Sequence, residues 1–284
     1  MCRLFGAAAS APINVRFELL ESDNSVLRQS EQHDSGWGCT YYRDGDPLSL
    51  RFPIAAHADE GFTEATTAEG ELIVVHVRRA TVGGLSLENT HPFAEGPYSY
   101  CHNGTIIRAS LLEPLASRRP AGTTDSERFF NLFMERLDPE DVEGTLRRTV
   151  EEVCELCKFS ALNLILCDGR RLYAYRFGIY ELFWLVRNTD LDADTKTHYH
   201  LHMERPMGEH VVLVASERLT DDEPWTAFEQ DELLVCDPAD PDHPRLGRLL
   251  GDKADEIEFQ PVDAGELTGA ARGEWAARRA AEGF

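Results

Sequence analysis

Three features of the 284-residue sequence predict a layered α+β fold. Apolar segments of strand length dominate the N-terminal part, helical periodicities occupy the middle, and a second run of strand-like segments fills much of the C-terminal half. Grouped strands, helices and strands differ from the regular alternation of βαβ units. Hydrophobic residues make up 42% and aromatics 9%, which supplies a sizeable core and excludes wholesale disorder.

The elements follow in order. Arg3 to Ala9 reads as a short apolar strand and Val15 to Gln32 as a partly helical stretch. Trp37 to Arg43 and Leu72 to Arg78 are strands; the second is almost continuously apolar, as a strand covered on both faces would be. Tyr98 to His102 is another, ending at His102-Asn103-Gly104. Ser110 to Ala116 reads as helical, and Asp125 to Leu137 as a helix capped by Thr124 or Asp125. A further helix runs from Asp138-Pro139 to Lys158, with the proline near its start, where it is tolerated. Ser160 to Cys167, Arg171 to Arg176 and Leu182 to Val186 are strands, and Asp168-Gly169 marks a hairpin. Strands are also expected at His198 to Met203, His210 to Ala215, Glu232 to Cys236 and Glu256 to Pro261, and an amphipathic helix at Glu266 to Glu282. The acidic run Asp237 to Pro244 is a surface loop, and no repeat or flexible linker interrupts the chain.

Charge narrows the partners. Fifty acidic residues against 28 basic ones leave a formal charge of −22, with no basic stripe to reverse it locally. Nucleic acid and anionic membrane surfaces are therefore not expected partners. No segment approaches the ~18 apolar residues of a membrane span. The start MCRLFGAAASAPINVRF is too weakly apolar for a signal peptide, so a cytoplasmic protein is expected. Seven irregularly spaced cysteines suggest reduced thiols. Cys154 and Cys157 form a lone CxxC on a helical stretch, better explained by packing than by zinc or redox chemistry.

Cys2 carries the most chemical information. Its small side chain permits removal of Met1, and a terminal cysteine holds nucleophile and base together: the free α-amine can accept the thiol proton. His76-Val77-Arg78-Arg79-Ala80-Thr81 places a guanidinium at a strand end, suited to a carboxylate. Asn103-Gly104 offers a side-chain amide beside a backbone N–H, the composition of an oxyanion hole. Thr124-Asp125-Ser126-Glu127 sets an acid where a loop becomes a helix, fit to cap that helix or to hold an ammonium group. Asn89-Thr90-His91-Pro92-Phe93 is a turn with a supporting role.

In this order, MCRLFG, HVRRAT, NTHPF, HNG and TDSE resemble the class II glutamine amidotransferases of the N-terminal-nucleophile hydrolase superfamily. HDSGWG (residues 33–38) and VASERLTDDEPW (residues 214–225) are similar to the stand-alone branch of YafJ-type amidotransferases and the ergothioneine-pathway γ-glutamyl amidohydrolase. The resemblance implies a four-layer αββα sandwich formed as a single domain by residues 2–284, with Met1 removed. It implies Cys2 as the catalytic nucleophile, Asn103 and Gly104 as oxyanion donors, and Arg78, Thr81 and Asp125 as binders of the substrate's amino-acid end. The implied reaction attacks a γ-glutamyl amide through a Cys2 thioester, releases glutamate and ammonia or an amine, and needs neither metal nor cofactor. Glutamine or another γ-glutamyl amide is the expected ligand. No synthase domain follows, so an ammonia acceptor would sit on a separate subunit, or hydrolysis of a γ-glutamylated metabolite would be the whole reaction. Arg79 and Val82 depart from the pattern of synthase-linked members, where an aromatic residue and a histidine are frequent.

Competing readings accompany several residues. His198, His200 and His202 share a strand face, read as a polar rim rather than a metal site. His33 and Trp37 fit either an active-site lining or the core. Ser216-Glu217 reads as a structural turn, and His76 and His102 as packing residues. A glutamine-sensing module without catalysis would be marked by loss of Cys2 or Asn103, and both are present. A papain-like pair of Cys101 and His102 is disfavoured because strand neighbours face opposite sides.

Overall fold

A computed structural model describes residues 2–188 and 210–261. Its strands are β1 (Arg3–Ile13), β2 (Trp37–Arg43), β3 (Asp46–Phe52), β4 (Gly70–Val77), β5 (Phe93–Glu95), β6 (Tyr98–Asn103), β7 (Ile106–Ile107) and β8 (Lys158–Phe159). There follow β9 (Asn163–Cys167), β10 (Leu172–Arg176), β11 (Phe183–Asn188), β12 (His210–Ala215), β13 (Thr226–Ala227), β14 (Glu232–Cys236) and β15 (Arg245–Arg248). The α-helices are α1 (Val26–Gln29), α2 (Glu60–Ala65), α3 (Asp125–Glu135) and α4 (Val142–Leu156). One sheet runs β13-β11-β12-β1-β4-β2-β3, the other β15-β14-β10-β9-β6-β5, and β7 pairs with β8.

Side-chain alternation builds the layers. Phe5, Ala7 and Ala9 of β1 join Val26 and Phe62 in a core under α1 and α2, whereas Leu4 and Ala8 face the second sheet. Between the sheets, Leu72 and Val74 of β4 meet Cys101, Ile165 and Ala174. The outer face of the second sheet packs Tyr100, Leu164 and Tyr175 against Phe129, Leu132 and Val150 of α3 and α4. The result is an αββα sandwich. At Gly6 the sheets approach closely: a Cβ there would lie 3.0 Å from Leu172 Cδ1 and 3.1 Å from Ile165 Cδ1.

Several expected elements change. The helix expected from Asp138 starts at Val142, because Asp141 caps it through Gly144 N–H (2.9 Å) and Asp138 instead organises a preceding turn. Glu256 to Pro261 is not a strand. Gly251–Glu256 forms a 3-10 turn, after which Ile257 and Phe259 pack on the helical core as irregular chain, with one bond from Gln260 N–H to the Phe159 carbonyl. Ser110 to Ala116 is a 3-10 stretch, Ala109–Leu115, holding Pro114. The expected Ser160 to Cys167 strand is shortened to β9, beginning at Asn163, and Ala161 makes only an isolated bridge with Gly178. Strand β3 lies on a sheet edge and is mostly exposed, so no apolar run announced it. The expected His198 to Met203 strand and Glu266 to Glu282 helix lie outside the described residues.

Candidate active site

Cys2 and Asn103 meet where the two sheets end together. Cys2 precedes β1 in the first sheet and Asn103 closes β6 in the second. The Cys2 backbone N–H donates to Asn103 Oδ1 at 3.0 Å across 101 residues of sequence, which leaves the Asn103 Nδ2 hydrogens as donors. Cys2 Sγ lies 3.6 Å from the Arg79 carbonyl oxygen. Neighbouring residues pin the strand end: Leu4 N–H donates to Ser216 Oγ (2.9 Å), Ser216 N–H to the Leu4 carbonyl (3.0 Å), and Arg3 pairs with Glu217 (2.9 Å). Ser216-Glu217 is thus the expected structural turn, set directly beside strand β1.

Beyond Asn103, Gly104 owes its identity to packing. Any Cβ there would fall 1.9 Å from the Ala161 carbonyl oxygen. His102 faces the helical layer: Nε2–H donates to the same Ala161 carbonyl at 3.0 Å, so Nδ1 accepts from the Ser126 hydroxyl at 2.9 Å. Burial lowers its pKa against the opposing pull of Asp125, which suits this neutral, doubly bonded ring. Cys101 faces the opposite way, into the core between the sheets, so Cys101 and His102 form no pair.

Arg78, Thr81 and Asp125 converge on the same sandwich end. Arg78 follows β4, whose last residue Val77 pairs with Arg3. Burial lowers the Arg78 pKa, while the charges of Cys2 and Asp125 oppose that shift, which places both near its guanidinium. Its Nη1 donates to Gly84 O (2.9 Å) and Nη2 to Val82 O (2.8 Å) and Gly83 O (3.2 Å). The guanidinium therefore anchors the 82–84 loop, a role that a reading of the fork as wholly given to a carboxylate does not include. Asp125 opens α3, capped by Thr124 Oγ1 through Glu127 N–H (3.2 Å), and its Oδ2 accepts from Ile106 N–H at 2.7 Å. Thr81 Oγ1 lies 3.3 Å from Thr105 Oγ1. Asn89, in the expected supporting turn, joins the two sides: its Nδ2 donates to Gly84 O (3.0 Å) and its Oδ1 accepts from Thr123 N–H (2.7 Å).

Trp37 belongs to the core, tilted against Phe52 and edge-on to Phe62, with its indole N–H on Asp59 (2.8 Å). His33 is buried, with Nδ1 bonded to Gln29 O, and its pKa is pushed down to about 4, chiefly by burial. His76 stacks on His91 at 4.3 Å, away from solvent. Cys157 is buried in the helical core and Cys154 packs against it, as the packing reading expects. His198, His200 and His202 lie outside the described residues. Among the described residues, no group of three or more His, Cys, Asp or Glu is placed to hold a metal ion.

Sequence reasoning missed the residues that buttress this end. Ser160 Oγ accepts from Thr105 N–H (3.0 Å), and Asn163 bridges β9 to the Phe177 to Glu181 segment. A lone asparagine at the head of the apolar run Asn163–Cys167 was the available signal. A hollow of about 710 Å³ lies at the opposite sandwich end among Asp44, Glu71, Asp141 and Asp168. None of Cys2, Arg78, Thr81, Asn103, Gly104 and Asp125 lines it.

The chain belongs to the class-II glutamine amidotransferases, whose family model matches residues 1–243. It is therefore an enzyme of that class. YafJ of Escherichia coli K12, named as a glutamine amidotransferase, is 28% identical over 79% of this chain and 93% of its own length. The γ-glutamyl-hercynylcysteine sulfoxide hydrolase of Mycolicibacterium smegmatis is 28% identical over 82% of this chain and 95% of its own. Among solved structures, the glutamine phosphoribosylpyrophosphate amidotransferase of B. subtilis superposes with a TM-score of 0.61 at 15% identity, covering 87% of this chain and 49% of that one. That likeness shows a shared fold. Among the described residues no helix is long and apolar enough to cross a membrane.

Proposed function

We propose that residues 2–284 form one domain that hydrolyses γ-glutamyl amides, with Cys2 as N-terminal nucleophile once Met1 is removed. The 3.0 Å bond between Cys2 N–H and Asn103 Oδ1 carries this reading, because it holds the future α-amine beside the oxyanion donor. Arg78 and Thr81 receive the substrate α-carboxylate, and Asp125 its α-ammonium group. The Cys2 α-amine takes the thiol proton, and the thiolate attacks the γ-carbonyl carbon. Asn103 Nδ2–H and Gly104 N–H hold the resulting oxyanion. Collapse breaks the C–N bond, the leaving nitrogen takes the proton from the α-ammonium, and a γ-glutamyl thioester remains. Water then adds to the thioester, the α-amine accepting its proton, and glutamate leaves as the thiol re-forms. No cofactor enters these steps.

Kinship to a γ-glutamyl-hercynylcysteine sulfoxide hydrolase favours hydrolysis as the complete reaction. A glutamine-sensing role is less well supported, since Cys2 and Asn103 are joined rather than lost. Intact mass spectrometry of purified protein should show loss of Met1 and a transient adduct of one glutamyl group, with glutamate released from γ-glutamyl amides. Retained Met1 in an active enzyme, or full activity in Cys2→Ala, would overturn the mechanism.

A further inference from the structure

Strand β1 lies between β4 and β12, so Cys2 has two flanks. The β4 flank leads to Arg78 and Thr81. On the β12 flank, the turn after Ala215 and the segment before β11 enclose a hollow of about 520 Å³ whose wall includes Asn103 and Arg3 but none of Arg78, Thr81 and Asp125. The proposed glutamyl clamp and this hollow therefore straddle the oxyanion donor. Ammonia, the leaving group of glutamine, needs almost none of that space; cavities of this size match organic ligands of roughly 300–1,000 Å³.

Both walls are built. Asn163 Nδ2 donates to Tyr180 O (3.1 Å) and Glu181 O (3.2 Å), Arg176 Nε to Tyr180 O (3.1 Å), and Ile179 N–H to Ser160 O (3.0 Å). Opposite, Asn24 Nδ2 holds Arg218 O (2.8 Å). Inside, the two cations differ. Arg3 is neutralised by Glu217 at 2.9 Å. The Arg218 guanidinium lies over the Phe183 ring, 5.2 Å from its centroid, and makes no ion pair among the described residues. Stacking occupies the face of a guanidinium and leaves its edge N–H donors free for a carboxylate. Phe183, Tyr180 and Ile179 supply apolar surface beside it, and Glu181 and Asp221 also line the hollow.

We infer that this hollow is the leaving-group subsite, and that it takes an amine of amino-acid size with an apolar body and one carboxylate, held by Arg218. The preferred substrates are then γ-glutamyl dipeptides rather than glutamine. This rests on the γ-glutamyl hydrolase reading above.

The full-length enzyme is assayed with glutamine, γ-glutamylphenylalanine and γ-glutamylphenylalanine amide, measuring released glutamate. The dipeptide should exceed both the others in kcat/KM by about tenfold or more, the scale of one hydrogen bond to a charged group. Arg218→Gln should lower the dipeptide-to-glutamine ratio by about the same factor, and Tyr180→Ala should lower it too. Equal kcat/KM for the three substrates, or equal losses for both substrates in Arg218→Gln, would overturn the subsite while leaving the parent reading intact. No turnover of any of the three, or full activity in Cys2→Ala, would remove the parent reading and the subsite with it.

Discussion

Gly104→Ala perturbs the proposed oxyanion donors through sterics alone. The added Cβ would sit 1.9 Å from the Ala161 carbonyl oxygen, 2.6 Å from its carbon and 2.8 Å from His102 Nε2. Real Cβ atoms essentially never approach closer than 3.0 Å, so the strand end must retreat by about 1.1 Å. Nothing nearby can swing aside: Ala161 is backbone, and the His102 ring is fixed at both nitrogens. The Asn103 amide and the Gly104 N–H would move together, and a displacement of about 1 Å costs on the order of 10²-fold in rate. Overpacking adds about 1–3 kcal/mol of destabilisation. Glutamate release from a γ-glutamyl amide, measured beside thermal unfolding, should show kcat down about 10²-fold and a midpoint lowered by about 2–4 °C per kcal/mol. A variant with wild-type rate and wild-type melting would refute the steric reasoning.

Asn103→Ala should lower kcat by about 10²–10³-fold, equivalent to about 2.7–4 kcal/mol, with little change in melting; the same assay checks it. Arg78→Lys should reduce kcat/KM by about tenfold or more, because an ammonium cannot reproduce a planar fork, and hydrogen exchange over residues 82–84 should rise as their anchor is lost. Arg187→Met removes a buried cation that bonds Glu18 (2.5 Å) and both oxygens of Glu223 (2.7 and 2.8 Å). Stripping buried Glu223 of that partner should cost about 3–5 kcal/mol in denaturant titration. Stability should also fall with acid. Burial pushes the His76 pKa down to about 3 and that of His91 well below its ordinary value. The unfolded chain therefore binds protons that the folded chain refuses as pH falls below about 6.5, at about 1.4 kcal/mol per unit for each ring. The loss should level off once the folded-state pKa values are passed, and a stability curve flat between pH 6.5 and 4 would contradict it.

Local chemistry made much of the fold legible. Trp37–Arg43, His210–Ala215 and Glu232–Cys236 stand where apolar patterning places them, because burial on one or both faces writes itself into consecutive residues. Thr124 caps α3 as its side chain predicts. Elements with little burial of their own, such as β3, were not legible, and the irregular chain from Ile257 to Phe259 has strand-like composition only because its apolar residues pack on a core.

The residue order by itself determined which chemical groups this chain possesses: a cysteine at position 2, an amide-glycine pair, a strand-end arginine and a helix-start acid. Tertiary structure decided their company. Cys2 reaches Asn103 across 101 residues and Leu4 reaches Ser216 across 212, through strand pairings and a sheet-on-sheet contact that no local pattern encodes. Why residue 104 is glycine, what the Arg78 fork holds, and the existence of a hollow beside Asn103 follow from those distant pairings. The physical reason is range: periodicity and capping act within a few residues, whereas a site is made by the packing energy of whole layers.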